Sequence, residues 1–227
     1  MRIAVLFSGG KDSMMVVYKA LREGHEIKYL ISLISENPAS YMFHYPNINL
    51  TNVQAELIGI PLIIKNTKGE KEKELVDLKD AISSIKDIDG VGAGALASKY
   101  QYERVENICK ELGLKTYAPC WLEDDEKHWK EILDAGFEVV ITGIAAEGFS
   151  KKWLGRKIDE KAVEELKKLK EKYKIHMGLE GGEGESFVVD CPLFKKKIEI
   201  KESEKIMDGE FSGHLIIKKI ELINKNQ

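Results

Sequence analysis

The sequence predicts an α/β fold: a parallel sheet covered by helices, followed by a smaller C-terminal α+β portion. Short apolar runs of strand length alternate with segments of helical period through most of the chain, and such alternation builds right-handed βαβ units. A glycine-rich turn follows the first strand directly and leads into a helix. Near residue 147 the composition changes, to a lysine-rich helix and then strands with no helix between them.

Each element follows from its own pattern. RIAVLF at 2–7 reads as a buried strand, and Met14, Val17 and Leu21 recur at helical spacing until Gly24 closes the helix. IKYLISLI is a continuous apolar run, as a parallel strand covered on both faces requires. SENPASYMFHYPN is a polar and aromatic loop with two prolines. A helix at LTNVQAELIGI, a strand at PLIIKN, an amphipathic helix over 70–85, the apolar segment GVGAGALA and the helix SKYQYERVENICKELG continue the alternation. KTYAPCW, EKHWKEILDAG and FEVVITGIAA repeat it once more, so the expected division is 1–146 and 147–227. In the second part, Val163, Leu166, Leu169 and Tyr173 stripe one face of DEKAVEELKKLKEKY, whose lysines form the solvated face. ESFVVDCPLF, KKIEIKES and HLIIKKIELI then read as strands in an antiparallel or mixed arrangement.

Composition narrows the function. The 35 Lys+Arg against 38 Asp+Glu leave a net charge of -3, which argues against recruitment of nucleic acid by a general basic field. Cys109, Cys120 and Cys191 are far apart and form no C-x-x-C pair, so reduced thiols of a cytoplasmic protein are expected rather than a disulfide framework or zinc ribbon. No apolar run reaches the ~18 residues of a membrane helix and no signal peptide precedes the first strand, so no membrane partner is expected. An oligomer is left open.

The turn Ser8-Gly9-Gly10-Lys11-Asp12-Ser13 carries the chemistry. A helix N-terminus after a strand presents unpaired N–H groups and the positive end of the helix dipole to an anion. The turn is shorter than G-x-x-x-x-G-K-[ST], and G-x-G-x-x-G is absent. Gly9 and Gly10 allow close backbone approach, Ser8 and Ser13 offer hydroxyls, and Lys11 adds a mobile positive charge. Asp12 suits a site only if it holds Mg²⁺ or caps the helix, which suggests a metal–nucleotide complex.

Strand-SGGKDS-helix resembles the pyrophosphate (PP) loop of the N-type ATP pyrophosphatases. That resemblance implies a Rossmann-like fold, as in the adenine nucleotide alpha hydrolase-like proteins, and cleavage of ATP between its α- and β-phosphates. Residues 1–146 would then be the ATP-binding domain and 147–227 the substrate-binding one. SYMFHYPN, GALASKYQYERVENICKELGL and EGGEGESFVVDCPLF resemble one branch, the diphthine–ammonia ligases. The family pattern usually has an aromatic residue and a threonine where Gly184 and Ser186 stand here.

The resemblance implies a ligase that amidates diphthine on translation elongation factor 2 with ammonium, through an acyl-adenylate, releasing AMP and pyrophosphate. ATP and Mg²⁺ are the cofactors implied. It places Ser8, Gly9, Gly10, Lys11, Asp12, Ser13 and Gly92 at ATP, with Lys11, Asp12, Glu183 and Glu185 catalytic and Asp12 on Mg²⁺. Tyr41, His44, Arg104, Glu147, Trp153, Glu180 and Ser186 would meet the substrate. Glu180, Glu183 and Glu185 share one glycine-rich turn, where a carboxylate can accept a proton from ammonium or, with aromatic faces such as Tyr41, Phe43, Tyr45 and Trp153, receive the trimethylammonium group of diphthine. The bland alternative is a solvated hairpin with aromatics used for packing. Arg104 can present its guanidinium to a ligand beside Ser98 and Gln101, or sit in a surface ion pair. His44 can orient a substrate or be structural, and Gly92 and Gly94 can approach a nucleotide or serve tight packing. The competing functions are a tRNA-modifying ATP pyrophosphatase and a non-catalytic adenine-nucleotide sensor.

Overall fold

The structure is a computed structural model that describes residues 1–35, 47–68 and 73–225. The chain forms two compact units, one of residues 1–8 and 12–121, the other of residues 9–11 and 122–227.

The first unit holds five strands, β1 (Arg2–Leu6), β2 (Glu26–Ser35), β3 (Leu62–Thr67), β4 (Gly90–Gly92) and β5 (Lys115–Tyr117). All pair in parallel in the order β3-β2-β1-β4-β5. Its helices are α1 (Lys11–Arg22), α2 (Thr51–Ile58), α3 (Lys73–Ser83) and α4 (Lys99–Glu111). Alternation along a strand sends neighbouring side chains to opposite faces. Ala4, Ile31, Leu33 and Val91 accordingly form one core with Leu78 and Ile82 of α3 and Val105 and Ile108 of α4. This is the Rossmann-like sheet expected from the sequence. The strand order reverses at β1, which has β2 on one side and β4 on the other, and the turn after β1 therefore opens where ligands bind in such sheets.

The second unit contains α5 (Asp125–Asp134), β6 (Glu138–Ala145), α6 (Glu160–Tyr173), β7 (Gly184–Asp190), β8 (Lys196–Met207) and β9 (Ser212–Asn224). The strands form an antiparallel sheet in the order β7-β6-β9-β8. The buried Asp125 carboxylate accepts two hydrogen bonds from Lys170, at 2.7 and 2.9 Å, and joins α5 to α6. Trp129, fully buried, donates its indole N–H to the Met177 carbonyl at 2.8 Å.

The structure corrects the expected division at 146/147. β6 does not extend the parallel sheet but is an inner strand of the antiparallel one, so the units divide between 121 and 122. The apolar run FEVVITGIAA reports burial on both faces, and that burial is the same in either pairing direction. Among the described residues, all three cysteines are free and buried, and no helix is long and apolar enough to cross a membrane.

Candidate active site

In the first unit, the Ser13 hydroxyl accepts the Ser8 N–H at 3.3 Å and lies 3.3 Å from the Ser8 hydroxyl. Gly94, in the segment after β4, lies against the first turn of α1: a Cβ there would stand 2.8 Å from Ser13 N and 2.9 Å from the Asp12 carbonyl carbon. Gly92 is different. Its missing Cβ would meet the Val16 and Val5 side chains at 2.9 and 3.0 Å, so this glycine seats α1 on the sheet. Both glycines are places of close packing, Gly94 against the backbone of the α1 first turn and Gly92, expected as a nucleotide contact, against apolar side chains. Two hydroxyls, the amide end of a helix and a closely approached backbone form a donor set that fits phosphate oxygens.

Gly9–Lys11 group with the second unit. Gly9 takes a φ of 78°, which favours glycine, and its carbonyl accepts the Val188 N–H at 3.0 Å. The Lys11 N–H donates to the Ser186 hydroxyl at 3.2 Å. The expected mobile ammonium is a further correction. Lys11 is 2% exposed, donates to the Gly178 carbonyl at 2.5 Å and has the Trp129 ring centroid 5.4 Å from its Nζ. A buried cation is held where a carbonyl and an aromatic face replace its water.

The three glutamates of the acidic turn separate by their partners. Glu183 accepts the His176 N–H at 3.0 Å and the Gly181 N–H at 2.6 Å, one on each carboxylate oxygen, while its carbonyl accepts the Ala145 N–H. It fastens the turn onto β6. Glu180 is engaged in a contact of its own. The half-buried Glu185 side chain makes no hydrogen bond or ion pair among the described residues, and burial pushes its carboxyl up to about 8. At Gly184 the backbone closes on β6: a Cβ would stand 2.7 Å from the Gly143 carbonyl oxygen. The buried Leu179, at a φ of 64°, packs where that side chain would start.

The remaining expected residues fall elsewhere. Trp153 is only 6% exposed, with the Arg156 guanidinium 4.5 Å from its ring centroid and the Phe149 ring edge-on at 5.3 Å. Its face is already covered, which corrects its expected contact with a cationic substrate. Glu147 is exposed, near the charge of Lys172. Ser98 caps α4 by accepting the Gln101 N–H at 3.4 Å, and Arg104 stacks over Tyr100 at 3.3 Å. Tyr41 and His44, with Phe43 and Tyr45, lie outside the described residues. Sequence reasoning missed Trp129, Gly178 and Gly143. Trp129 lies in an ordinary amphipathic helix, and the Gly178 role is a carbonyl, which carries no side-chain signature.

Residues 1–116 match the diphthamide synthase N-terminal domain and residues 124–223 its C-terminal domain, on either side of the division between the units. The chain belongs to the diphthamide synthase family. A diphthine–ammonia ligase of Rattus norvegicus is 34% identical to it, with 91% of this chain and 85% of that protein covered. The diphthine–ammonia ligase of Danio rerio is also 34% identical, with 92% and 90% covered. A solved chain described as a predicted subunit of a tRNA methyltransferase from Methanocaldococcus jannaschii aligns with 85% of this chain at 17% identity and a TM-score of 0.44. Within the diphthamide synthase family the curated relatives are named as ligases, and this chain is an enzyme of that kind.

Proposed function

We propose that the chain amidates diphthine on elongation factor 2, using ATP and ammonium. The observation that carries this reading, beside membership of the family, is the pairing of an unpartnered, desolvated carboxyl at Glu185 with the neighbouring Ser186, which accepts the N–H of Lys11 in the phosphate turn. ATP supplies the activation, turning the diphthine carboxylate into an acyl-adenylate with release of pyrophosphate and, after attack by ammonia, AMP.

The residues of this chain do the rest. Ser8, Ser13 and the first-turn amides of α1 hold phosphate oxygens, and Asp12 would supply the carboxylate for Mg²⁺, whose charge would offset that of the phosphates. Gly94 keeps the backbone close to that turn. Glu183 fixes the acidic turn, and Glu185 takes up ammonium, accepts its proton and passes it to solvent, leaving ammonia free to attack. A cation beside Glu185 offsets its burial and draws its carboxyl down toward the ionised form. Lys11 holds the turn together.

Incubation with ATP, Mg²⁺, ammonium and diphthine-bearing elongation factor 2 tests the reading. The expected result is the mass decrease of a carboxylate becoming an amide, with AMP and pyrophosphate formed in equal amounts. Formation of ADP, or pyrophosphate release stimulated by tRNA and not by the elongation factor, overturns it.

A further inference from the structure

Strand β6 is irregular between Ile141 and Gly143, and Gly143 stands opposite Glu185 in the antiparallel ladder with β7. Residues directly opposite one another send their side chains to the same face of a sheet. A Cβ on Gly143 would stand 3.1 Å from the Cβ of Glu185, 3.2 Å from its Cγ and 3.3 Å from its amide nitrogen. The stem of Glu185 therefore occupies the space that a side chain at 143 would fill. On the next rung Ile144 stands opposite Gly184, whose Cβ would meet the Gly143 carbonyl oxygen. Glycine within a strand weakens it unless a close approach needs the room. Here the approach is that of a carboxylate side chain on one rung and of a backbone on the other.

We propose that Gly143 is a positioning residue for Glu185: by withholding a side chain at the irregular point of β6, it lets the stem of the half-buried glutamate lie across the strand, away from ion partners. The inference rests on the reading of Glu185 as the proton acceptor. The ionisable groups carried by the surrounding elements are otherwise employed. Glu183 accepts two backbone N–H groups, and Glu180 has its own contact. His214 of β9, which pairs with Gly143 from the other side, has its Nδ1 2.8 Å from Asp208, and the Lys11 ammonium donates to Gly178. His176 gives its backbone N–H to Glu183, and its imidazole Nδ1 is buried without a hydrogen-bond partner. Burial is what raises the carboxyl of Glu185, and the stem that is buried lies against Gly143.

The test is a carboxyl titration of ¹³C-glutamate-labelled protein, with the Glu185 signal assigned by its loss in Glu185→Gln. In Gly143→Ala the added methyl pushes the stem outward. The Glu185 midpoint is expected to fall from about 8 by roughly one pH unit or more. Amidation kcat should drop about tenfold, a fraction of what a general base supplies, at unchanged KM for ATP. An unchanged midpoint overturns the proposal. A shifted midpoint with unchanged kcat sustains the hold of Gly143 on Glu185 and overturns the assignment of Glu185 as proton acceptor. Should the alanine variant not fold, the unaltered protein tests the same contact through the nuclear Overhauser effect between the Gly143 Hα and Glu185 side-chain protons, whose absence overturns the proposal.

Discussion

Two glycine-rich turns serve opposite ends in this protein. At the turn after β1, a glycine lets one backbone come close to another: Gly94, from the segment after β4, lies against Ser13 and Asp12 with no room for a methyl group. In the acidic turn and the strand it meets, glycine makes room for a side chain, since Glu185 fills the space left by Gly143. The first arrangement gathers donors for an anion, and the second seats an acid where burial raises its carboxyl. The same residue type brings backbone dipoles together in one place and makes room for an acid side chain in the other.

Removing that acid tests the contrast most strongly. Glu185→Gln should lower amidation by about 10²-fold or more while ATP binding persists, because glutamine keeps the shape and loses the proton acceptor. Single-turnover mass analysis beside ATP titration checks it. The same variant bears on pH. Glu185 is raised from 4.5 to about 8, so its neutral form favours the fold, fully below the ordinary value and decreasingly as pH climbs through that window. Relative to the glutamine variant, the unaltered protein should lose Tm between pH 4.5 and 8.

Lys11→Ala comes next. If the lysine is a tether, the loss appears as stability, about 2–4 kcal/mol for a buried charged donor whose carbonyl partner is left unpaired, measured by urea unfolding without nucleotide. Unchanged stability with reduced turnover would instead support the catalytic role that the family resemblance implies for Lys11. Gly94→Ala should cost about 1–3 kcal/mol through forced backbone displacement and weaken ATP binding as well, whereas Gly92→Ala, pressing on the Val16 and Val5 side chains, should destabilise and leave ATP affinity of the folded protein intact. Calorimetry with both variants separates them. The smallest effect belongs to Glu183→Gln, which keeps one acceptor oxygen and loses the other, at about 1 kcal/mol, with amidation reduced less than in Glu185→Gln.

The parallel sheet was legible because its signals are local. Each apolar run from RIAVLF to KTY lies between helices whose period is visible in the sequence, and the SGGKDS turn is contiguous. β6 was misplaced because Val139, Val140 and Ile141 report burial and nothing about the direction of the strands beside them. The acidic residues of the site were visible as a cluster, but their division of labour was not, because Glu183 and Glu185 differ only in what meets them: backbone N–H groups for one, an absent side chain on another strand for the other. Trp153 looked available in the sequence, and Arg156, three residues on, covers its ring.

The attachment of Gly9–Lys11 to the second unit also sets a timetable for synthesis. The partners of Lys11 lie 167 and 175 residues further along the chain. A ribosome releasing this protein has made the five parallel strands long before it makes Gly178, Ser186 or Val188. Contacts of such separation form late in folding, after the loop-closure entropy has been overcome. The sheet of the first unit can therefore condense on the nascent chain, while the turn after its first strand acquires its final bonds only after Val188 has been made.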